Sequence, residues 1–122
     1  MNPIYTKAAA ILLCVICAFA VPTTLYAHAI LLESSPKPES KVKGPSLSVW
    51  LRFNVRVDGG RSRTVLVSDD GNTKRLTFDP QPKPNVLSAK ATGLSAGKYK
   101  LQWQVLAADG HITSGEFAFY VE

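Results

Sequence analysis

Apolar and polar residues alternate in three stretches of this chain, and this period of two constrains the fold more than any other feature of the sequence. Successive side chains of a β-strand point to opposite faces, so each stretch predicts a strand that buries one face. The three stretches are residues 46–53, 98–105 and 116–121. Beyond residue 27 no segment has apolar residues at a convincing helical spacing. The sequence therefore predicts an all-β fold.

Turn-forming residues separate these strands from weaker ones. The segment Ser68-Asp69-Asp70-Gly71-Asn72 predicts a hairpin turn between a strand containing Val65 and Val67 and a return strand at 73–78. Residues 79–84 are rich in proline, which lacks the amide donor of a ladder, so they predict a loop or a crossing between sheets. A strand at 86–91 and a glycine-rich turn at 93–97 follow. About seven short strands favour a seven-stranded Greek-key β-barrel or sandwich with an immunoglobulin-like architecture.

The first 27 residues differ from the rest and have the order of a secretory signal. A single charge, Lys7, precedes an apolar run from Ala8 to Val21, and a short segment ending in Ala27 follows. The run is shorter than the roughly 20 residues that a spanning helix needs. We therefore predict a signal peptide at 1–27, an exported domain at 28–122, and no stable membrane insertion after cleavage.

Removal of this leader would take all the sulfur with it. The chain has two cysteines and one methionine, and these are Cys14, Cys17 and Met1. The exported domain would then lack disulfides, thiolate zinc sites, blue-copper cysteine and the thioether clusters that hold Cu(I). Its stability must come from a hydrophobic core.

Basic residues outnumber acidic ones, 14 to 9, which gives a net charge of +5. The lysines and arginines are spread along the chain without a basic run, and export would separate the protein from nucleic acid. We predict a solvated basic surface and no nucleic-acid partner.

The domain has two histidines, His28 and His111. Cleavage after Ala27 would leave His28 at the N-terminus, where its α-amine and ring Nδ1 could chelate one metal ion. His111 lies in the connection between the last two strands, and Asp109 would project to the same side of an extended segment. Two imidazoles, one amine and one carboxylate suit tetragonal Cu(II). We predict that His28, Asp109 and His111 bind one Cu(II) per chain.

These residues also resemble a known family. The segment His28-Ala-Ile-Leu-Leu-Glu-Ser-Ser-Pro-Lys-Pro38 is similar to the mature start of the CopC/PcoC (YobA-like) periplasmic copper-binding proteins. Residues 97–103 and Asp109-Gly110-His111, continuing to residue 115, resemble their C-terminal signature. The resemblance covers residues 28–122 and implies a Greek-key domain that holds Cu(II) through His28, Asp109 and His111. It also implies a periplasmic role in copper homeostasis or resistance, without catalysis, beside a CopD-type inner-membrane copper importer.

Two departures from the family pattern concern the metal. Some members have a methionine-rich loop for Cu(I), which this domain lacks, so it resembles the subgroup with a Cu(II) site alone. An acidic residue expected near Val55 is also absent. That residue would orient the metal ligands from outside the coordination sphere. We expect a monomer.

The cleavage site and the function each have alternatives. Cutting after Ala29 fits the Ala-x-Ala pattern slightly better but would discard His28. We predict cleavage after Ala27, because the resemblance begins at His28 and an Asp-x-His pair alone would be a poor copper site. A metal-free immunoglobulin-like adhesion or cell-wall module, and a copper oxidase with a histidine brace, are the other functions considered.

Overall fold

The computed structural model describes residues 28–122, so the predicted signal peptide at 1–27 lies outside the described residues. The described part contains eight strands and no helix, which confirms the all-β prediction. The strands are β1 (Leu31–Ser35), β2 (Lys41–Val42), β3 (Leu47–Phe53), β4 (Val57–Ser68), β5 (Thr73–Leu76), β6 (Val86–Ala91), β7 (Gly97–Ala107) and β8 (Ile112–Val121). Across residues 28–122 no helix is long and apolar enough to cross a membrane.

The strands form two sheets, one of three strands in the order β1-β3-β6 and one of five in the order β2-β8-β7-β4-β5. Neighbouring strands are antiparallel except for β2, which runs parallel to β8. The sequence predicts either a Greek-key barrel or a Greek-key sandwich. The domain is a sandwich, because the two sheets do not close into a barrel. The eight strands compare with the predicted count of about seven; β1 and β2 are the two that the sequence did not locate, and β2 has only two residues, too few to show a period.

The alternating residues form the core between the sheets. Phe53 of β3, Leu101 and Val105 of β7, and Phe119 of β8 have no exposed surface. The ring of Phe53 meets the indole of Trp103 edge to face, with centroids 5.3 Å apart. Each predicted alternation therefore buries the face that its apolar residues define.

Strand boundaries differ from the prediction mainly at β4. This strand begins at Val57, well before Val65, and contains a bulge: Asp58 pairs with Leu106, whereas Arg63 pairs with Gln104. The extra residues of β4 interrupt the period of two, which conceals the strand in the sequence. Smaller differences are that β5 ends at residue 76 and that β8 begins at residue 112, which shortens the β7–β8 connection to residues 108–111.

The predicted turns lie where expected. The N–H of Gly71 donates to the carbonyl of Ser68 over 2.9 Å, and Gly71 has a positive φ of 87°. Residues 79–84 lie between β5 and β6 and carry the chain from one sheet to the other.

Gly115 provides a test of the packing between β7 and β8. It pairs with Trp103, and a Cβ atom at residue 115 would lie only 2.7 Å from the indole Cε2. Trp103 is 8% exposed and packs against Phe53, so it has little room to move. We expect Gly115→Ala to lower the free energy of unfolding by about 1–3 kcal/mol, measured by urea denaturation. The neighbouring Ser114→Ala should change it by less than about 0.5 kcal/mol, and equal stability of both variants would contradict this packing.

Candidate metal centre

Two contacts fix the segment that carries His28. The side chain of Ala29 is 2% exposed and belongs to the core. The N–H of Ile30 donates to Oδ1 of Asn54 over 2.7 Å, and the N–H of Asn54 donates to the carbonyl of Ile30 over 3.1 Å. Because residues 29 and 30 are both held, the chain just before β1 positions His28 at one end of the sandwich.

The second part of the site is the turn between β7 and β8. The N–H of Ala107 donates to the carbonyl of His111 over 2.8 Å, and the N–H of Gly110 donates back to Ala107 over 2.9 Å. Gly110 has a φ of +86°, which favours glycine. The N–H of Ala108 also donates to the carbonyl of Arg56, which ties the turn to the chain before β4.

This turn corrects the predicted reason for the proximity of Asp109 and His111. The sequence predicts an extended segment here, whose alternate side chains share a face. The chain instead reverses between them, and the N–H of His111 donates to Oδ1 of Asp109 over 3.0 Å. A side-chain to backbone bond across two residues is typical of aspartate in turns.

The fold brings the three predicted residues together. The imidazole centroids of His28 and His111 are 5.3 Å apart, with the rings tilted by 52°. Oδ2 of Asp109 lies 2.8 Å from Nδ1 of His111. The three side chains are neighbours rather than a formed ligand cluster, because within residues 28–122 no three His, Cys, Asp or Glu side chains are arranged to hold a metal ion. Their role as ligands stays a prediction.

The contacts with His111 control the charge of Asp109. The backbone N–H of His111 and then its ring lower the pKa of this carboxyl, and the charges of His111 and His28 lower it further. Partial burial raises the pKa; its effect is weaker than that of the two hydrogen bonds and stronger than that of the two charges. Asp109 is therefore a carboxylate at neutral pH, the form in which it can bind a cation.

The donor set fits a borderline metal ion. Two imidazoles that share one ion at about 2.0–2.1 Å have centroids roughly 4.5–6.5 Å apart, depending on the angle between them, and the observed 5.3 Å lies in this range. The bond to Asp109 occupies Nδ1 of His111, so Nε2 is the nitrogen available for a metal while that bond persists. His111 has 58% of its side chain exposed, so an ion can approach from solvent.

Asn54 is the residue that sequence reasoning missed. The carboxylate that the family pattern predicts near Val55 is absent from this chain. The structure places an amide there, and its oxygen holds Ile30, two residues after His28. A polar residue directly after the alternating residues of β3 is the signal that could have indicated it.

Comparison with known proteins identifies the family. A family model described as the CopC domain matches residues 31–122. The chain belongs to the CopC domain family. The crystal structure of CopC from Methylosinus trichosporium OB3b is 31% identical, covers 78% of this chain and 94% of that chain, and superposes with a TM-score of 0.70. PcoC, a methionine-rich copper resistance protein from Escherichia coli, is 24% identical, covers 79% of this chain and 100% of that chain, and has a TM-score of 0.66.

Relatives are also found by sequence. Protein YobA of Escherichia coli strain K12 is 28% identical over 105 residues, which are 84% of this chain and 85% of YobA. The copper transport protein CutJ of Bacillus subtilis strain 168 is 28% identical over 104 residues, or 83% of this chain. The match spans only 19% of CutJ, so this CopC-family chain corresponds to about a fifth of that protein.

The Asp109–His111 pair predicts a specific pH response of the copper-free protein. A pKa below the usual aspartate range means that the fold favours the ionised carboxyl, so this stabilisation is present above the unfolded pKa and is lost as pH falls through the folded pKa. We expect carboxyl ¹³C NMR to show Asp109 titrating below an ordinary aspartate, and His111→Ala to raise its pKa. An unchanged Asp109 titration in His111→Ala would contradict the pairing.

Proposed function

We propose that residues 28–122 are a periplasmic Cu(II)-binding domain that carries or sequesters one copper ion. The observation that supports this most directly is the meeting of both histidines of the domain, 5.3 Å apart, beside a carboxylate bonded to one of them. The names of its relatives, which include a copper resistance protein and a copper transport protein, support copper as the cargo.

The proposed ligands are the α-amine and ring of His28, the imidazole of His111 and the carboxylate of Asp109. The nitrogen of residue 28 becomes an amine only when the preceding segment is removed, so we propose cleavage after Ala27. An amine and a ring nitrogen of one residue then reach the ion together. A nitrogen-rich site without sulfur favours Cu(II) over Cu(I).

The protein supplies position and charge. Burial of Ala29 and the bonds between Ile30 and Asn54 hold His28 near His111 before metal binds. The turn at residues 108–111 keeps Asp109 ionised and next to His111. This arrangement lowers the conformational cost of bringing the donors around one ion.

We propose binding rather than catalysis. A copper oxidase keeps one coordination position of its metal open for the substrate, whereas here the carboxylate of Asp109 can fill that position. The exposed position of His111 allows the ion to leave without opening the core. We propose that the acceptor or donor is a membrane protein of the CopD type and that the domain acts as a monomer.

The N-terminus provides the sharpest test of the ligand set. Protein beginning at His28 should bind one Cu(II), measured by titration against a competing chelator. A version with methionine before His28 should keep its fold but bind Cu(II) more weakly, because the nitrogen of its residue 28 is an amide. The loss of affinity should exceed roughly 10–100-fold, which is the cost of removing a residue that only orients a ligand. His111→Ala should also lose affinity, and Asp79→Ala in the proline-rich loop should not. Equal affinity of the extended and processed proteins would contradict the proposed site.

Asn54 can be tested against a matched asparagine. We expect Asn54→Ala to weaken Cu(II) binding by about 10–100-fold, because the segment carrying His28 loses an anchor. The control is Asn85→Ala. It removes the hydrogen bond from Asn85 Nδ2 to the carbonyl of Phe53, the residue before Asn54, but leaves the contact with residue 30 intact. Affinity that falls equally in both variants would show that Asn54 acts only on general stability.

A further inference from the structure

A groove on the five-stranded sheet is not used by the proposed metal centre. It has a volume of about 330 Å³, and its lining includes Arg63, Arg75, Gln102, Gln104 and Ser114. A depression of equal size shares Arg63, Arg75 and Gln104 with it and continues through Arg61 to Ile112. Because Ile112 follows His111 directly, the combined groove runs along the sheet toward the candidate metal centre.

The arginines of this groove lack close acidic partners. Within residues 28–122 neither Arg63 nor Arg75 forms an ion pair, and Arg61 has only a 3.9 Å contact with Asp58. Arg75 pairs with Val65, so it lies diagonally across from Arg63 on the neighbouring strand. Like charges at this spacing repel each other, and an anion between them would remove the repulsion.

Two of these arginines, Arg61 and Arg63, lie in or at the end of the bulge in β4. Between the pairs Asp58–Leu106 and Arg63–Gln104, β4 has more residues than β7. Ser62 fixes the extra length, because its hydroxyl donates to the carbonyl of Asp58 over 2.5 Å and accepts from the N–H of Leu106 over 3.1 Å. Bulges redirect side chains near functional sites. The bonds of Ser62 thus fix the backbone next to Arg61 and Arg63.

We propose that this groove binds an acidic segment of a protein partner. Carboxylates of the segment pair with Arg63 and Arg75, since guanidinium groups bind carboxylates through two parallel hydrogen bonds. Gln104 of β7 pairs with Arg63 on one side and with Ser114 of β8 on the other, so both polar side chains lie beside the arginines and can bond to the peptide backbone. The segment then ends at Ile112, next to the candidate metal centre.

Two features favour a peptide over a lipid surface or free phosphate. The amide of Gln102 donates to Glu116 over 3.1 Å, which places a carboxylate beside the groove. A uniformly anionic membrane cannot avoid this charge, whereas a peptide can place an uncharged residue opposite it. Ile112 is 63% exposed and offers an apolar contact that a phosphate ion cannot use. A protein segment can match both features, with acidic residues at the arginines and an apolar residue at Ile112.

The test uses copper-free protein that begins at His28, so its outcome does not depend on metal binding. The probe is a fluorescein-labelled eight-residue peptide of Glu, Asp and Leu, followed by anisotropy at physiological ionic strength. We expect saturable binding that Arg63→Gln/Arg75→Gln weakens at least about tenfold. The control Lys98→Gln/Lys100→Gln removes the same charge from the same sheet outside the groove and should change affinity less than about twofold.

NMR shifts and vesicles separate the alternatives. Peptide-induced amide shifts should concentrate at Arg63, Arg75, Gln104, Ser114 and Ile112. Equal weakening in both double variants, or no peptide binding, would overturn the proposal. Binding to vesicles with 30% phosphatidylglycerol that depends on Arg63 and Arg75, while peptide binding does not, would also overturn it and assign the groove to lipid.

Discussion

The pairing of β7 with β8 is the interaction on which the rest of the structure depends. Its ladder runs from Gly97 opposite Val121 to Leu106 opposite Ile112 without a shift in register. One face of this ladder supplies Leu101, Val105 and Phe119 to the core. Its closed end is the turn that holds Asp109 against His111. Because the side-chain period of a strand is two, a slip of one residue would turn the core residues outward and would also displace the turn.

The candidate site needs the other sheet as well. His28 precedes β1 of the three-stranded sheet, whereas Asp109 and His111 follow β7 of the five-stranded sheet. Folding therefore creates the candidate site, since side chains about 80 positions apart meet only when the sheets pack. The anchor for His28 is modest in size, one buried methyl group and a pair of hydrogen bonds, but it acts one or two residues from the donor. Copper binding at the proposed site would be coupled to folding, because a metal that binds only the native state stabilises that state.

Alternation was enough to predict β3, β7 and β8, since each of them buries one face and its apolar residues show it. It was not enough for β4, because Gly59, Gly60 and the bulge interrupt the period, nor for the two-residue β2. Asp109 and His111 were paired by their spacing, yet the structure joins them through a turn. Asn54 escaped prediction because its role depends on a contact with Ile30, 24 positions away, that only the packed sheets create.

The central claim is that export creates the copper site by exposing the amine of His28. Its most direct test is native mass spectrometry of the protein produced with its own residues 1–27 and recovered from the periplasm of copper-supplied cells. The account predicts a chain that begins at His28 and carries one copper ion, which is lost from the corresponding His111→Ala protein. A chain that begins at Ile30, or one that begins at His28 and carries no copper, would contradict it.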